Sequence, residues 1–164
     1  MPASCRPRSI TARSWRQRDA FEASLERCWR ASLAAFDRSG LIEAARQARE
    51  NAHAEFSHFK VGAALETSSG VVITGCNVEN ATYGLTICAE RVAMFKALSD
   101  GHRTFSRIAI VADTQEPTPP CGACRQILWE FGGDLQVLLA SLTEEKGVYQ
   151  LRDLLPLPFD ARLL

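Results

Sequence analysis

No window of this sequence reaches the ~18 consecutive apolar residues that a membrane-spanning helix needs, which excludes an integral helical membrane protein. Net charge is lacking too. Nineteen basic residues meet nineteen acidic ones, so the chain carries no overall footprint for nucleic acid. Lysine is scarce, with three against sixteen arginines, which reads as coding bias before function. No secretory signal with an apolar core opens the chain, and six cysteines in 164 residues are too sparse for a small disulfide scaffold. The expectation is a reducing, cytoplasmic setting with metal-binding or catalytic thiols. Internal repeats are absent.

What is present divides unevenly. Residues 1–40 carry eight Arg against Asp19, Glu22, Glu26 and Asp37, a local +4, whereas residues 41–164 carry a local −4. Residues 1–18, with five Arg and no acid, suit an organellar transit peptide, a disordered basic arm or an over-long start, and the latter two are the expectation. In residues 19–36, Phe21, Leu25, Cys28, Trp29, Leu33 and Phe36 recur at helical spacing, which predicts an amphipathic helix. The expected organisation is therefore an extension over 1–40 and one domain over 41–164. The acidic balance of that domain argues against gripping a phosphate backbone.

Along the domain, a helix is expected over Leu41–Ala54, then a hairpin of Phe59–Glu66 and Val71–Cys76 around a Thr67–Gly70 turn. A helix over Ile87–Leu98 follows, with Thr86 as N-cap and Gly101 as its stop. Arg107–Ala112 reads as a buried strand, Cys121–Phe131 as a helix broken by Gly132 and Gly133, and Leu135–Leu142 as another buried strand. Val148–Leu151 adds a last strand. Apolar strands separated by helices point to an α/β fold: a three-layer α-β-α sandwich with a mixed sheet of about five strands.

Two segments concentrate the chemistry. Thr86-Ile87-Cys88-Ala89-Glu90-Arg91 and Pro119-Pro120-Cys121-Gly122-Ala123-Cys124-Arg125-Gln126 both put cysteine at the start of a predicted helix. Backbone N–H groups and the positive dipole end favour a thiolate there. Cys121 and Cys124, three apart, can grip one ion from a single turn, and Cys88 would approach from the other helix. Three ligands leave a fourth tetrahedral position for water, the mark of a catalytic zinc. On pattern alone a structural zinc or a thiol-redox pair stays open, with Cys76 the nearest fourth thiol. His53, His58 and His102 lie outside both segments, and Arg125 is as readily a solvated side chain as a functional one.

Cys-Ala-Glu-Arg, followed 33 residues after its cysteine by Pro-Cys-Gly-Ala-Cys-Arg-Gln, resembles the cytidine deaminases, specifically the short type with three cysteine ligands. Phe59-Lys60-Val61-Gly62-Ala63-Ala64 and Asn77-Val78-Glu79-Asn80-Ala81 extend the likeness, which runs from about Leu41 to Phe159. The resemblance implies hydrolytic deamination of cytidine and 2′-deoxycytidine in pyrimidine salvage, with Zn²⁺ activating the attacking water. By it, Cys88, Cys121 and Cys124 ligate the metal and Glu90 shuttles protons. Asn77 and Glu79 meet the ribose 3′-hydroxyl, Phe59 packs on the base, and Ala89 meets the pyrimidine edge. Arg91 bonds the cysteine sulfurs, supplying a cation beside a metal unit that three thiolates leave at −1. Phe159 matches an aromatic lent to a neighbouring subunit, and a homotetramer acting on a small nucleoside, with no nucleic-acid or membrane partner, follows. Where members often show Pro-Tyr-Ser, this chain has Glu55-Phe56-Ser57. A deaminase of a cytosine nucleoside antibiotic of the blasticidin-S type, or a structural-zinc interaction module, are the rival readings.

Overall fold

A computed structural model describes residues 38–160. The basic arm, the expected helix over 19–36, Cys5 and Cys28 lie outside the described residues, as do residues 161–164. The described chain from Ser39 onward forms one compact unit. Among the described residues no helix is long and apolar enough to cross a membrane.

The elements run α1 (residues 38–49), β1 (Val61–Thr67), β2 (Val72–Cys76), α2 (Ala89–Ser99), β3 (Phe105–Ala112), α3 (Gly122–Gly132), β4 (Gln136–Ala140), β5 (Glu145–Gln150) and α4 (Leu151–Leu154). A single 3-10 turn, Tyr83–Leu85, interrupts the loop before α2. The five strands form one mixed sheet in the order β2-β1-β3-β4-β5. β3 and β4 are parallel and the other neighbours antiparallel; among strands that lie side by side, only β3 and β4 are joined through a helix, while α2 carries the chain from β2 across β1 to β3.

Both faces of the sheet are covered, so its central strands are apolar on both sides. On β3, Ile108 and Ile110 join Met94, Leu128, Leu65 and Val137 in the core beneath α2 and α3. The alternate residues Ala109 and Val111 meet Leu41, Ile42 and Ala45 of α1 on the opposite face. The expected three-layer α-β-α sandwich with five strands is what the chain forms. Two glycines let the layers close up. A Cβ on Gly62 would come within 2.0 Å of the Ala45 carbonyl in α1, and one on Gly75 within 2.5 Å of the Ala93 nitrogen in α2.

Several boundaries differ from the sequence reading. The first helix stops at residue 49 instead of 54, because the His53 N–H turns away to donate to the Asn77 carbonyl at 3.0 Å. The second begins at Ala89 with Cys88 as its N-cap. Ile87 is held in an isolated bridge to Val78, so Thr86 cannot cap the helix; its hydroxyl instead accepts from the Asn80 N–H. Gly101 ends α2 as expected, with a φ of 89° that suits glycine. The last strand starts at Glu145, three residues early, and Leu151 opens α4, a turn too short to leave a periodic signal.

Candidate active site

α2 and α3 start on the same face of the sheet, each preceded by a cysteine in extended conformation. Cys88 has ψ 154° and Cys121 ψ 168°, and neither side chain caps its own helix. Their thiols are thereby left to converge. The sulfurs of Cys88, Cys121 and Cys124 all lie within 4.8 Å of one another, with 3.9 Å between Cys88 Sγ and Cys121 Sγ. A tetrahedral zinc with bonds of about 2.3 Å spaces its sulfurs about 3.8 Å apart, so the cluster fits that ion.

The charge around the sulfurs fits as well. Arg91 Nη2 donates to Cys88 Sγ at 3.5 Å and to the Thr86 carbonyl at 3.2 Å, while its buried Nε has no partner. A cation with donors to spare suits a centre made over-anionic by three thiolates. A hydrogen bond from Cys124 and the adjacent Arg91 guanidinium hold the Cys88 thiol down to about 5. Cys124, the donor of that pair and itself buried, is pushed up. Among the described residues no His, Asp, Glu or fourth Cys joins the cluster. Cys76 points elsewhere and donates to the Asn51 carbonyl at 3.4 Å.

Glu90 sits two residues beyond Cys88 and is only 4% exposed. Burial pushes its carboxyl up to about 7; negative charge at Cys88 adds to this and the Glu90 backbone N–H opposes it. A carboxyl poised there can both take and give a proton near neutral pH.

Cys88, Ala89, Glu90 and Cys121 line one cavity of about 240 Å³ with Phe59, Asn77 and Glu79. Seven of the residues expected from the sequence thus meet in one place. Cys124 lies buried behind them in the metal cluster, and Arg91 reaches the same sulfurs. Phe159 stands apart: it is 60% exposed, outside the cavity lining, with its carbonyl held by Gln126 Nε2.

The polar end of the cavity is tightly organised. Asn77 Oδ1 accepts from the Val61 N–H at 2.8 Å and its Nδ2 donates to the Phe59 carbonyl at 2.9 Å, which fixes the backbone that carries Phe59. One amide hydrogen of Asn77 remains for a ligand. Glu79 accepts from the Phe56 N–H (2.8 Å), the Ser57 N–H (3.1 Å) and the Ser57 hydroxyl. The Ser57 hydroxyl, with the two backbone donors, holds its carboxyl below the usual carboxylate range. A turn closed by the His58 N–H, which donates to the Ala54 carbonyl at 3.0 Å, contains those two N–H groups, and the chain leaves it at His58 with φ 58°.

Ser57, Thr86, Ile110, Thr118 and Pro119 also line the cavity and were not singled out as site residues from the sequence. Ser57 carried a signal, since it is the residue of the Glu55-Phe56-Ser57 segment that keeps its hydroxyl. Thr86 and Pro119 lie in the two cysteine segments, each two residues before a cysteine, whereas Ile110 and Thr118 arrive through tertiary folding alone.

The cytidine and deoxycytidylate deaminase zinc-binding region matches residues 37–140. A cytidine deaminase from Halalkalibacterium halodurans is 52% identical over 126 residues, covering 76% of this chain and 96% of the relative. One from Sporosarcina psychrophila is 48% identical over 117 residues, covering 71% and 86%. The crystal structure of cytidine deaminase from Burkholderia pseudomallei superposes with a TM-score of 0.72 at 52% identity, covering 74% of this chain and 98% of that one.

Proposed function

The chain belongs to the cytidine and deoxycytidylate deaminase family, and on that premise we propose that it hydrolyses cytidine and 2′-deoxycytidine to uridine and 2′-deoxyuridine, releasing ammonia. The observation that carries this reading is the convergence of three cysteine sulfurs and one desolvated carboxyl on a single cavity. Cys88, Cys121 and Cys124 hold Zn²⁺, which when bound brings a water toward ionisation near neutral pH.

The chain's own residues do the rest. Glu90 takes a proton from the attacking water and delivers it to the pyrimidine N3, then takes the second proton from the hydroxyl now on C4 and hands it to the departing amine. The balance is one water consumed and one ammonia released. The Ala89 backbone meets the pyrimidine edge and Phe59 packs against the base. Asn77 and Glu79 take the ribose 3′-hydroxyl, held in place by their bonds to the Phe59–Val61 and Phe56–Ser57 backbones. Arg91 offsets the excess negative charge of the sulfurs.

Residues 41–164 are the catalytic domain in this reading, residues 1–40 an extension, and the role is pyrimidine salvage in the cytoplasm. The enzyme assembles as a homotetramer. Leu157 (93% exposed) and Phe159 leave apolar surface at the C-terminal end that assembly would cover, and Phe159 serves a neighbouring subunit's site. A screen with cytidine, deoxycytidine and blasticidin S, followed by the fall in ultraviolet absorbance, tests the substrate. Zinc-loaded protein inactive on both nucleosides would sink the reading, and activity on blasticidin S alone would replace it. Light scattering on a chain starting at Gly40 should give a tetramer with intact kcat/KM; a fully active monomer would refute the assembly.

A further inference from the structure

Of the three clustered cysteines, Cys124 is fully buried within α3 and Cys88 is half-buried, but Cys121 is exposed. Packing alone does not fix its place. Its backbone is held by one residue four positions on. The Arg125 N–H donates to the Cys121 carbonyl at 2.9 Å, the first bond of α3. The Arg125 side chain then folds back, and Nε donates to the Pro120 carbonyl at 2.7 Å. The carbonyls on either side of the Cys121 Cα therefore both end on Arg125. A third bond leaves in the opposite direction, from Nη1 to the carbonyl of Leu154 at 2.7 Å, the last residue of α4.

The other metal-bearing helix repeats part of this device, since Arg91 grips the Thr86 carbonyl two residues before Cys88. Arg91, however, also reaches the Cys88 sulfur. The bonds of the Arg125 side chain go to carbonyls, so its effect on the metal is through the backbone. A guanidinium presents Nε and Nη1 donors in a fixed fork that spans two acceptors, which a lysine ammonium on a flexible stem does not reproduce.

We propose that Arg125 is a positioning residue of the metal centre, whose side chain grips the Pro120 carbonyl just before Cys121 and ties that ligand to the C-terminal helix α4. The proposal rests on the reading that Cys121 holds zinc. Groups that orient ligands from outside the coordination shell typically change metal affinity 10- to 100-fold when removed. Arg125→Ala should therefore release zinc to excess 4-(2-pyridylazo)resorcinol about 10-fold faster than the parent, and Arg125→Lys should fall between the two. Stripping zinc from the parent should also speed amide exchange over residues 151–155, a response that Arg125→Ala should lose.

A merely structural arginine would lower the melting temperature but leave the release rate of the folded variant unchanged. Release within twofold of the parent in both variants overturns the proposal, as does α4 exchange in the parent that ignores zinc. Should Arg125→Ala fail to fold, Arg125→Lys and the exchange measurement on the parent decide. Zinc content of the parent and of Cys121→Ala is measured alongside. Full zinc in Cys121→Ala would strike the ligand reading itself, whereas zinc lost there but released at parental rate from the Arg125 variants would strike this proposal alone.

Discussion

Gly75 is the point where β2 touches α2, and adding one methyl there should damage stability and catalysis together. An alanine Cβ would lie 2.5 Å from the Ala93 nitrogen, 2.6 Å from the Ala89 carbonyl oxygen and 3.1 Å from the Ala93 Cα. These are backbone atoms of a helix and cannot rotate aside. Restoring ordinary contact requires α2 to retreat by roughly 1 Å. Overpacking a closed core costs about 1–3 kcal/mol, and a backbone obstacle puts Gly75→Ala at about 3. For a domain of this size that corresponds to a fall in melting temperature of about 10 °C. The same retreat moves Ala89 and Glu90 in the cavity wall and shifts Cys88 against Cys121, so kcat/KM should fall about 100-fold. Thermal melts and cytidine kinetics test this, with Gly84→Ala as the control, since nothing lies within 4 Å of its added Cβ. A Gly75→Ala enzyme that melts within about 2 °C of the parent and keeps its activity would show that this contact does not set the position of α2.

Glu90→Gln should retain zinc and fold while losing about 100- to 10,000-fold in kcat, because an amide cannot exchange the proton; near-normal turnover would remove Glu90 from the mechanism. Cys121→Ala or Cys124→Ala should lose metal and activity, while Cys76→Ser keeps stoichiometric zinc, and metal analysis of the three variants checks the ligand set. Ser57 holds the Glu79 carboxyl below its ordinary value, so that bond adds stability above pH 4.5 that disappears as pH falls through the lowered value. The melting difference between the parent and Glu79→Gln should accordingly be largest near neutrality and vanish in acid; a difference that grows on acidification would contradict the assignment.

The features legible in the sequence are those whose geometry is local. Cys121 and Cys124 share one helical turn, and Cys88 and Glu90 share another, so spacing alone pairs them. Their meeting across 33 residues depends on α2 and α3 lying on one face of the sheet, which the family likeness implied and periodicity could not. The alternating burial of Ile108-Ala109-Ile110-Val111 was readable as a buried strand because both faces are apolar. Ser57 reaches Glu79 from 22 residues away through a loop with no repeating pattern, so the segment is marked in the sequence but its partner appears only in the folded chain. The misjudged C-terminal end of α1 and the start of α2 have one origin. Val78 pairs with both His53 and Ile87 through isolated bridges, which no helical or strand periodicity announces. That small knot holds Ile87 in the cavity wall, and it sets where Cys88 begins its helix.

The lone parallel pairing, β3 with β4, has a consequence for how this scaffold can change. Between the end of β3 at Ala112 and the start of α3 the chain crosses a stretch that forms no ladder with any strand, yet Thr118 and Pro119 near its end form part of the cavity wall. Register in the sheet is set by β1, β3 and β4 and does not depend on how long this stretch is. Insertions or deletions between Asp113 and Thr118 can therefore reshape the mouth of the cavity without disturbing the sheet or the cysteine-bearing helix starts. It is the segment on which a library aimed at bulkier cytosine nucleosides should be built.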